Sequence, residues 1–312
     1  MDKTVSFIRV ASDWGAGRKG AALGPESIVQ AGLLRHLTSL GIDCEDAGEI
    51  KSALKEPPVS TEPVSGTTAV LERTGKKLKH LPQIIDVNMK LSERVSYTVA
   101  TGKMPFVLGG DHSISIGTLS GLADHYDDLG VIWLDAHADL NTEQTSPTGN
   151  VHGMPLAAAL GKGHEKLVSI RKKGAKIRAD RLAIVAVRQL DEGEKKWINE
   201  AGIPCFTMYD IDREGIAAIM EKAYAIAGRA RDGIHVSFDI DCVDPREAPG
   251  TGTPVKGGLN YREAHFAMEF LYETKKVISA EMVEVNPLLD EGNRTVTLAM
   301  ELIASLLGKR IL

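Results

Sequence analysis

The stretch Gly130-Val-Ile-Trp-Leu-Asp135-Ala-His137-Ala-Asp139 runs from an uncharged, mostly apolar segment straight into two aspartates and a histidine. A short apolar run bounded by glycine and acids predicts a strand covered on both faces, the habit of parallel sheets. The same pattern recurs outward in both directions. Strands are expected at 4–10, 42–46, 105–108, 130–135, 182–187, 205–209, 234–239 and 277–285. Helical periodicity separates them at 25–40, 78–101, 114–125, 192–201, 213–229, 261–273 and 294–307. Alternation of this kind predicts an α/β fold built from βαβ units around a largely parallel sheet.

The remaining composition excludes more than it assigns. The 312 residues carry 37 Lys+Arg against 42 Asp+Glu, a formal net charge of −5, so no broad basic face for nucleic acid or an anionic membrane is expected. No apolar run is long enough to span a bilayer, and Lys3, Arg9, Asp13, Arg18 and Lys19 interrupt the apolar core a signal peptide would need. The chain reads as cytoplasmic. Cys44, Cys205 and Cys242 are too scattered for a disulfide framework and read as buried thiols. No compositional break divides the chain, which reads as a single domain over 1–312. The stretch 51–75, rich in Pro, Ser and Thr, reads as a surface excursion.

Gly15-Ala-Gly17-Arg-Lys-Gly20 matches the GxGxxG pattern after an expected strand, and makes a dinucleotide site the first enzyme alternative. That fingerprint needs a helix starting at the glycines to receive a pyrophosphate. Here Gly24-Pro25 delays the helix, so the segment reads as a flexible loop.

Three expected strand ends carry acids and imidazoles: Gly109-Gly-Asp111-His112-Ser113, Asp135-Ala-His137-Ala-Asp139, and Ser237-Phe-Asp239-Ile-Asp241-Cys-Val-Asp244-Pro245. If the backbone stays extended, Asp135, His137 and Asp139 share a face, as do Asp239 and Asp241. Such a row repels itself unless cations sit among the carboxylates. Two divalent ions balance Asp135, Asp139, Asp239 and Asp241, with His112 and His137 as neutral ligands. Oxygen-weighted ligands without thiolate favour manganese, with zinc left open. Any one of these motifs alone is as well explained by a turn, a helix cap or a packed core histidine. Their recurrence at several strand ends favours metal.

At these residues the chain resembles the ureohydrolase family, and within it the bacterial arginase group, over essentially its whole length. The resemblance implies a three-layer α/β/α sandwich around a mostly parallel eight-stranded sheet, with two Mn2+ per subunit. It assigns His112, Asp135, Asp139 and Asp239 to one manganese and Asp135, His137, Asp239 and Asp241 to the other. It implies hydrolysis of L-arginine to L-ornithine and urea by a metal-bridging hydroxide, suited to a guanidinium that is a poor electrophile. His152 would be the acid/base histidine and Glu284 the partner of the guanidinium, with Asp139 counted among the catalytic groups as well as the ligands.

For the amino-acid end, the resemblance implies Asn141, Thr148 and Asn150 at the α-carboxylate, Asp191 and Glu194 near the α-amino group, and Thr253 on the cavity wall. Asp191 and Glu194 alone would read as a helix N-terminal pair. His235 reads as structural. Two departures stand out: threonine at 148 where serine is usual, and the loop Ala11-Ser-Asp-Trp14. The alternative in the same family acts on agmatine or a related guanidino compound. The family implies a homohexamer built from trimers.

Overall fold

The computed structural model describes residues 3–55 and 78–310. Most of the expected excursion at 51–75 therefore lies outside the described residues. The strands are β1 (Val5–Val10), β2 (Cys44–Ile50), β3 (Met104–Leu108), β4 (Gly130–Leu134), β5 (Leu182–Val187), β6 (Cys205–Thr207), β7 (Ile234–Asp239) and β8 (Val277–Val283). They form one sheet in the order β2-β1-β3-β8-β7-β4-β5-β6. Every pairing is parallel, so the largely parallel expectation sharpens to wholly parallel.

The helices are α1 (Gly24–Gln30), α2 (Leu33–Ser39), α3 (Leu81–Ala100), α4 (Ser115–Leu122), α5 (Pro155–Ala159), α6 (Glu165–Val168), α7 (Glu192–Ala201), α8 (Met208–Ala227), α9 (Tyr261–Glu273) and α10 (Arg294–Leu306). Strand pleating sorts the side chains between two cores. Phe7, Phe106, Ile132, Leu134, Val236 and Phe238 pack with Ile28, Leu37, Ile219, Met268 and Leu302, from α1, α2, α8, α9 and α10. The alternate residues Ile8, Val107, Val131, Trp133 and Ile184 pack with Val87, Leu91, Leu119 and Leu156, from α3, α4 and α5. Two helical layers on one sheet make the three-layer α/β/α sandwich. They also explain why β3, β4, β5 and β7 are buried along their whole length.

Some boundaries differ from the periodicity for local reasons. The helix expected at 25–40 is two helices, because Gly32 adopts φ 102°, a left-handed conformation that glycine accepts readily. The strand expected at 205–209 stops at Thr207, whose Oγ1 accepts from the Asp210 N–H while the Asp210 carboxylate accepts from the Thr207 N–H. That reciprocal cap starts α8 five residues earlier than the expected 213. β8 ends at Val283, and Glu284 turns out of the sheet at φ 63°.

The topology decides where chemistry can occur. β3, β8, β7, β4 and β5 are consecutive neighbours and parallel, so their carboxyl ends open on the same sheet edge. Ligands of open α/β sheets bind at that edge.

Candidate metal centre and substrate cavity

The acids and histidines do converge, but by turns rather than by pleating. β4 ends at Leu134, and the Asp135 carboxylate accepts the His137 N–H at 2.7 Å. Asp139 sits at φ 54°, a left-handed conformation uncommon outside glycine, asparagine and aspartate. Asp239 closes β7 and accepts the Asp241 N–H at 2.8 Å in one turn of 3-10 helix, residues 240–242. The extended row expected from the sequence is therefore folded back on itself.

His112 Nδ1 lies 3.3 Å from Asp135, 3.0 Å from Asp139 and 3.1 Å from Asp239. His137 Nδ1 lies 3.3 Å from Asp135 and 3.2 Å from Asp241. Asp135 is the carboxylate common to both groups. His112 Nδ1 and Asp139 Oδ2 are buried and make no hydrogen bond despite this proximity. They surround a shared point instead of pointing at each other, as ligand atoms do around a cation. His112, Asp135 and Asp139, and likewise Asp135, His137 and Asp241, bring one ligand atom each within 4.8 Å of one another, and Asp239 borders the first trio through His112. The residues present thus fit two metal ions with nitrogen and oxygen ligands.

The electrostatics agree. Burial and the charges of Asp241 and Asp135 raise Asp239 well above the usual carboxylate range. Burial and Asp135 push Asp139 up to about 6. Burial works against charge on His137, but Asp241 and Asp135 overcome it and push the imidazole up to about 12. Protons thus gather where a divalent cation would neutralise the cluster directly.

Beside the cluster is a cavity of about 230 Å³, lined by His112, His137, Asp139 and Asp239 together with Asn141, Thr148, Asn150, Asp191 and Glu194. His152 and Thr253 also face it. Its size suits one small extended molecule and excludes a polymer. Asn141 Nδ2 donates to Asp191 at 2.8 Å. Glu194 accepts the backbone N–H groups of Asp191 and Leu140, so its carboxylate braces α7 and the 140–150 loop while forming part of the wall. Burial pushes it up to about 7. Thr148 Oγ1 accepts the Asn150 N–H at 3.2 Å, a contact for which a serine hydroxyl would serve equally.

Glu284 stands behind His152. Its Oε1 accepts from the His112 N–H at 3.0 Å and pairs with His152 Nδ1 at 3.0 Å, while Oε2 is buried without a partner. Burial opposes the imidazolium of His152, but Glu284 outweighs it and raises the group to about 9.

The Arginase family profile matches residues 3–308. An arginase of Bacillus subtilis (strain 168) is 47% identical over 312 residues, covering all of both chains. The native structure of an arginase from Bacillus caldovelox superimposes with a TM-score of 0.89 at 46% identity, over 99% of this chain and 100% of that one. The structure of an Entamoeba histolytica arginase in complex with L-ornithine gives a TM-score of 0.85 at 30% identity, over 98% of each chain. The chain belongs to the Arginase family. It is accordingly a hydrolase, with the arginase fold.

Several residues that brace this arginase-family site escape a motif reading. Ser237 Oγ bonds His112 Nε2 at 2.8 Å and donates to Glu281 at 2.7 Å, and Ser115 also donates to Glu281. His235 borders the same buried carboxylate, with Nε2 3.4 Å from Glu281 and Nδ1 3.0 Å from Ser279, so the histidine read as structural belongs to the network behind the cluster. Trp133 donates its indole N–H to Asp135 at 3.1 Å and stacks on His112 with ring centroids 4.2 Å apart. Thr253 Oγ1 donates to Asp241 at 2.9 Å. The Arg188 guanidinium donates to the carbonyls of Asp241, Cys242 and Val255, tying two loops together. Ser237 stands in a quoted motif and Thr253 is expected on the cavity wall, but their partners, like the roles of Ser115, Glu281 and Arg188, come from contacts between segments far apart in the chain.

The glycine loop of residues 15–20 is pinned rather than flexible. Gly15 N–H donates to Asp111 at 2.8 Å, and its carbonyl accepts the His152 N–H. α1 begins only at Gly24, beyond the glycines, and the loop serves as a wall.

Proposed function

We propose that the chain hydrolyses L-arginine to L-ornithine and urea with two Mn2+ bound by His112, Asp135, His137, Asp139, Asp239 and Asp241. The observation that carries this reading is one cavity with two unlike sets of lining groups: members of two imidazole–carboxylate trios sharing Asp135, and amides and acids suited to an amino-acid head group. The names of its relatives, and the L-ornithine complex of one of them, support the same substrate.

When bound, the metal pair supplies a hydroxide nucleophile near neutral pH. The protein's own groups do the rest. Asn141, Thr148 and Asn150 hold the α-carboxylate, and Asp191, with Glu194 behind it, draws the α-amino group. The free Oε2 of Glu284 accepts a guanidinium N–H and orients the scissile carbon toward the cluster. His152 gives its Nδ1–H to Glu284 and presents Nε2 for proton transfer to the departing amine; its raised affinity for protons suits a general acid. Thr253 keeps Asp241 oriented.

We further infer a single domain over 1–312, a cytoplasmic setting and a homohexamer. One family profile spanning residues 3–308 supports the first, and no described helix is long and apolar enough to cross a membrane. Light scattering after size exclusion reads the assembly. For the activity, the deciding assay is urea release from L-arginine and from agmatine, side by side, after manganese loading. Turnover of agmatine with L-arginine ignored would replace the substrate assignment.

A further inference from the structure

We propose that Lys79 is a positioning residue for the α-carboxylate, acting by fixing which end of the Asn150 amide faces the substrate; the inference rests on the arginine reading. Lys79 lies just ahead of α3, outside the 141–150 loop, and grips that loop twice. Its backbone N–H donates to the Gly149 carbonyl at 3.3 Å, and its Nζ donates to Asn150 Oδ1 at 2.9 Å. An ammonium has three donors and no acceptor, so only the carbonyl end of the amide can face it.

The other end of the amide lies against Gly17. A Cβ built on Gly17 would lie 2.8 Å from Asn150 Nδ2, so the amide sits against a backbone that has no room for a side chain. Asn150 lines both the cavity and the adjoining cleft beside Gly17 and Arg18. An unrestrained asparagine offers a bound carboxylate either a donor or an acceptor, and the acceptor repels it. Lys79 removes that choice by occupying Oδ1, which leaves Nδ2 as the donor. Its charge also sets a cation behind Asn150, on the loop that the proposed reading gives to the substrate carboxylate.

The test uses the full-length, manganese-loaded protein. K79M removes the donors and should raise the KM for L-arginine about tenfold, roughly the value of one hydrogen bond to a charged group, while kcat changes by less than about twofold. K79R keeps a cationic donor and should recover most of the loss. Competitive inhibition by agmatine, which lacks the carboxylate, should move by less than about twofold in K79M, because the missing contact is to a group agmatine does not have. G17A, which crowds Nδ2 without touching Lys79, should raise the same KM. An unchanged KM in K79M, or weakening toward agmatine in parallel with L-arginine, overturns the inference. A wild-type protein that releases no urea from L-arginine defeats the arginine reading instead, so the two failures are distinct.

Discussion

The two ends of the cavity are built on different terms. At the metal end, Asp135, Asp239 and Asp241 are buried at the tips of adjacent strands, each carboxylate accepts a backbone N–H, and Asp135 and Asp241 are held again by Trp133 and Thr253. At the amino-acid end, Thr148 is exposed and Asn150 half-buried on a loop, where Asn150 meets Lys79 and Gly17 and Thr148 accepts the Asn150 N–H. On the proposed function, the chemistry sits on the sheet edge, whereas substrate selection falls to a loop that can vary without disturbing the ligands.

Removing the shared carboxylate should break the metal end outright. In D135N, urea formation is expected to fall by at least about a thousandfold, with bound manganese below one ion per chain by elemental analysis, since both groups lose a ligand. Full metal content with normal rate would dissolve the distinction between the ends. S237A is milder: it cuts the bridge between His112 and Glu281, and manganese affinity should drop by about ten- to a hundredfold in a metal titration, the usual cost of a lost supporting contact.

At the other end, N141A should raise the KM for L-arginine by about tenfold and leave manganese content and kcat close to wild type. Loss of metal in N141A would show that the loop supports the cluster after all. The smallest effect joins the two ends. In the metal-free protein the His152 imidazole should titrate near pH 9 by NMR, above its ordinary 6.5, and E284Q should lower that midpoint. Because the folded value is raised, the His152–Glu284 pair stabilises the fold fully below pH 6.5, and its contribution fades as pH rises through about 9. A midpoint unmoved by E284Q would assign the shift to other charges.

The strands most legible in the sequence are the fully buried ones, such as β4, β5 and β7, whose apolar runs end at acids or polar turns. Boundaries failed where a single residue overrode periodicity: Gly32 split a helix, and Thr207 capped α8 early. The cluster's membership was readable because its residues sit two apart in short motifs. The cause of their convergence was not, since an extended reading of 135–139 misses the turn made by the Asp135 side chain and the left-handed Asp139.

By itself, the sequence determined the α/β class, the strands buried on both faces, and the gathering of aspartates and histidines at several strand ends. These follow from local composition and short-range spacing. The tertiary structure alone decided which strand ends are neighbours, that Asp135 serves both groups, that Glu281 and Ser237 stand behind His112, and that Lys79 faces Asn150. Such pairings depend on strand order and on crossovers that bring together residues as far apart as His112 and Glu284, and no local pattern in the chain encodes a contact made across that distance.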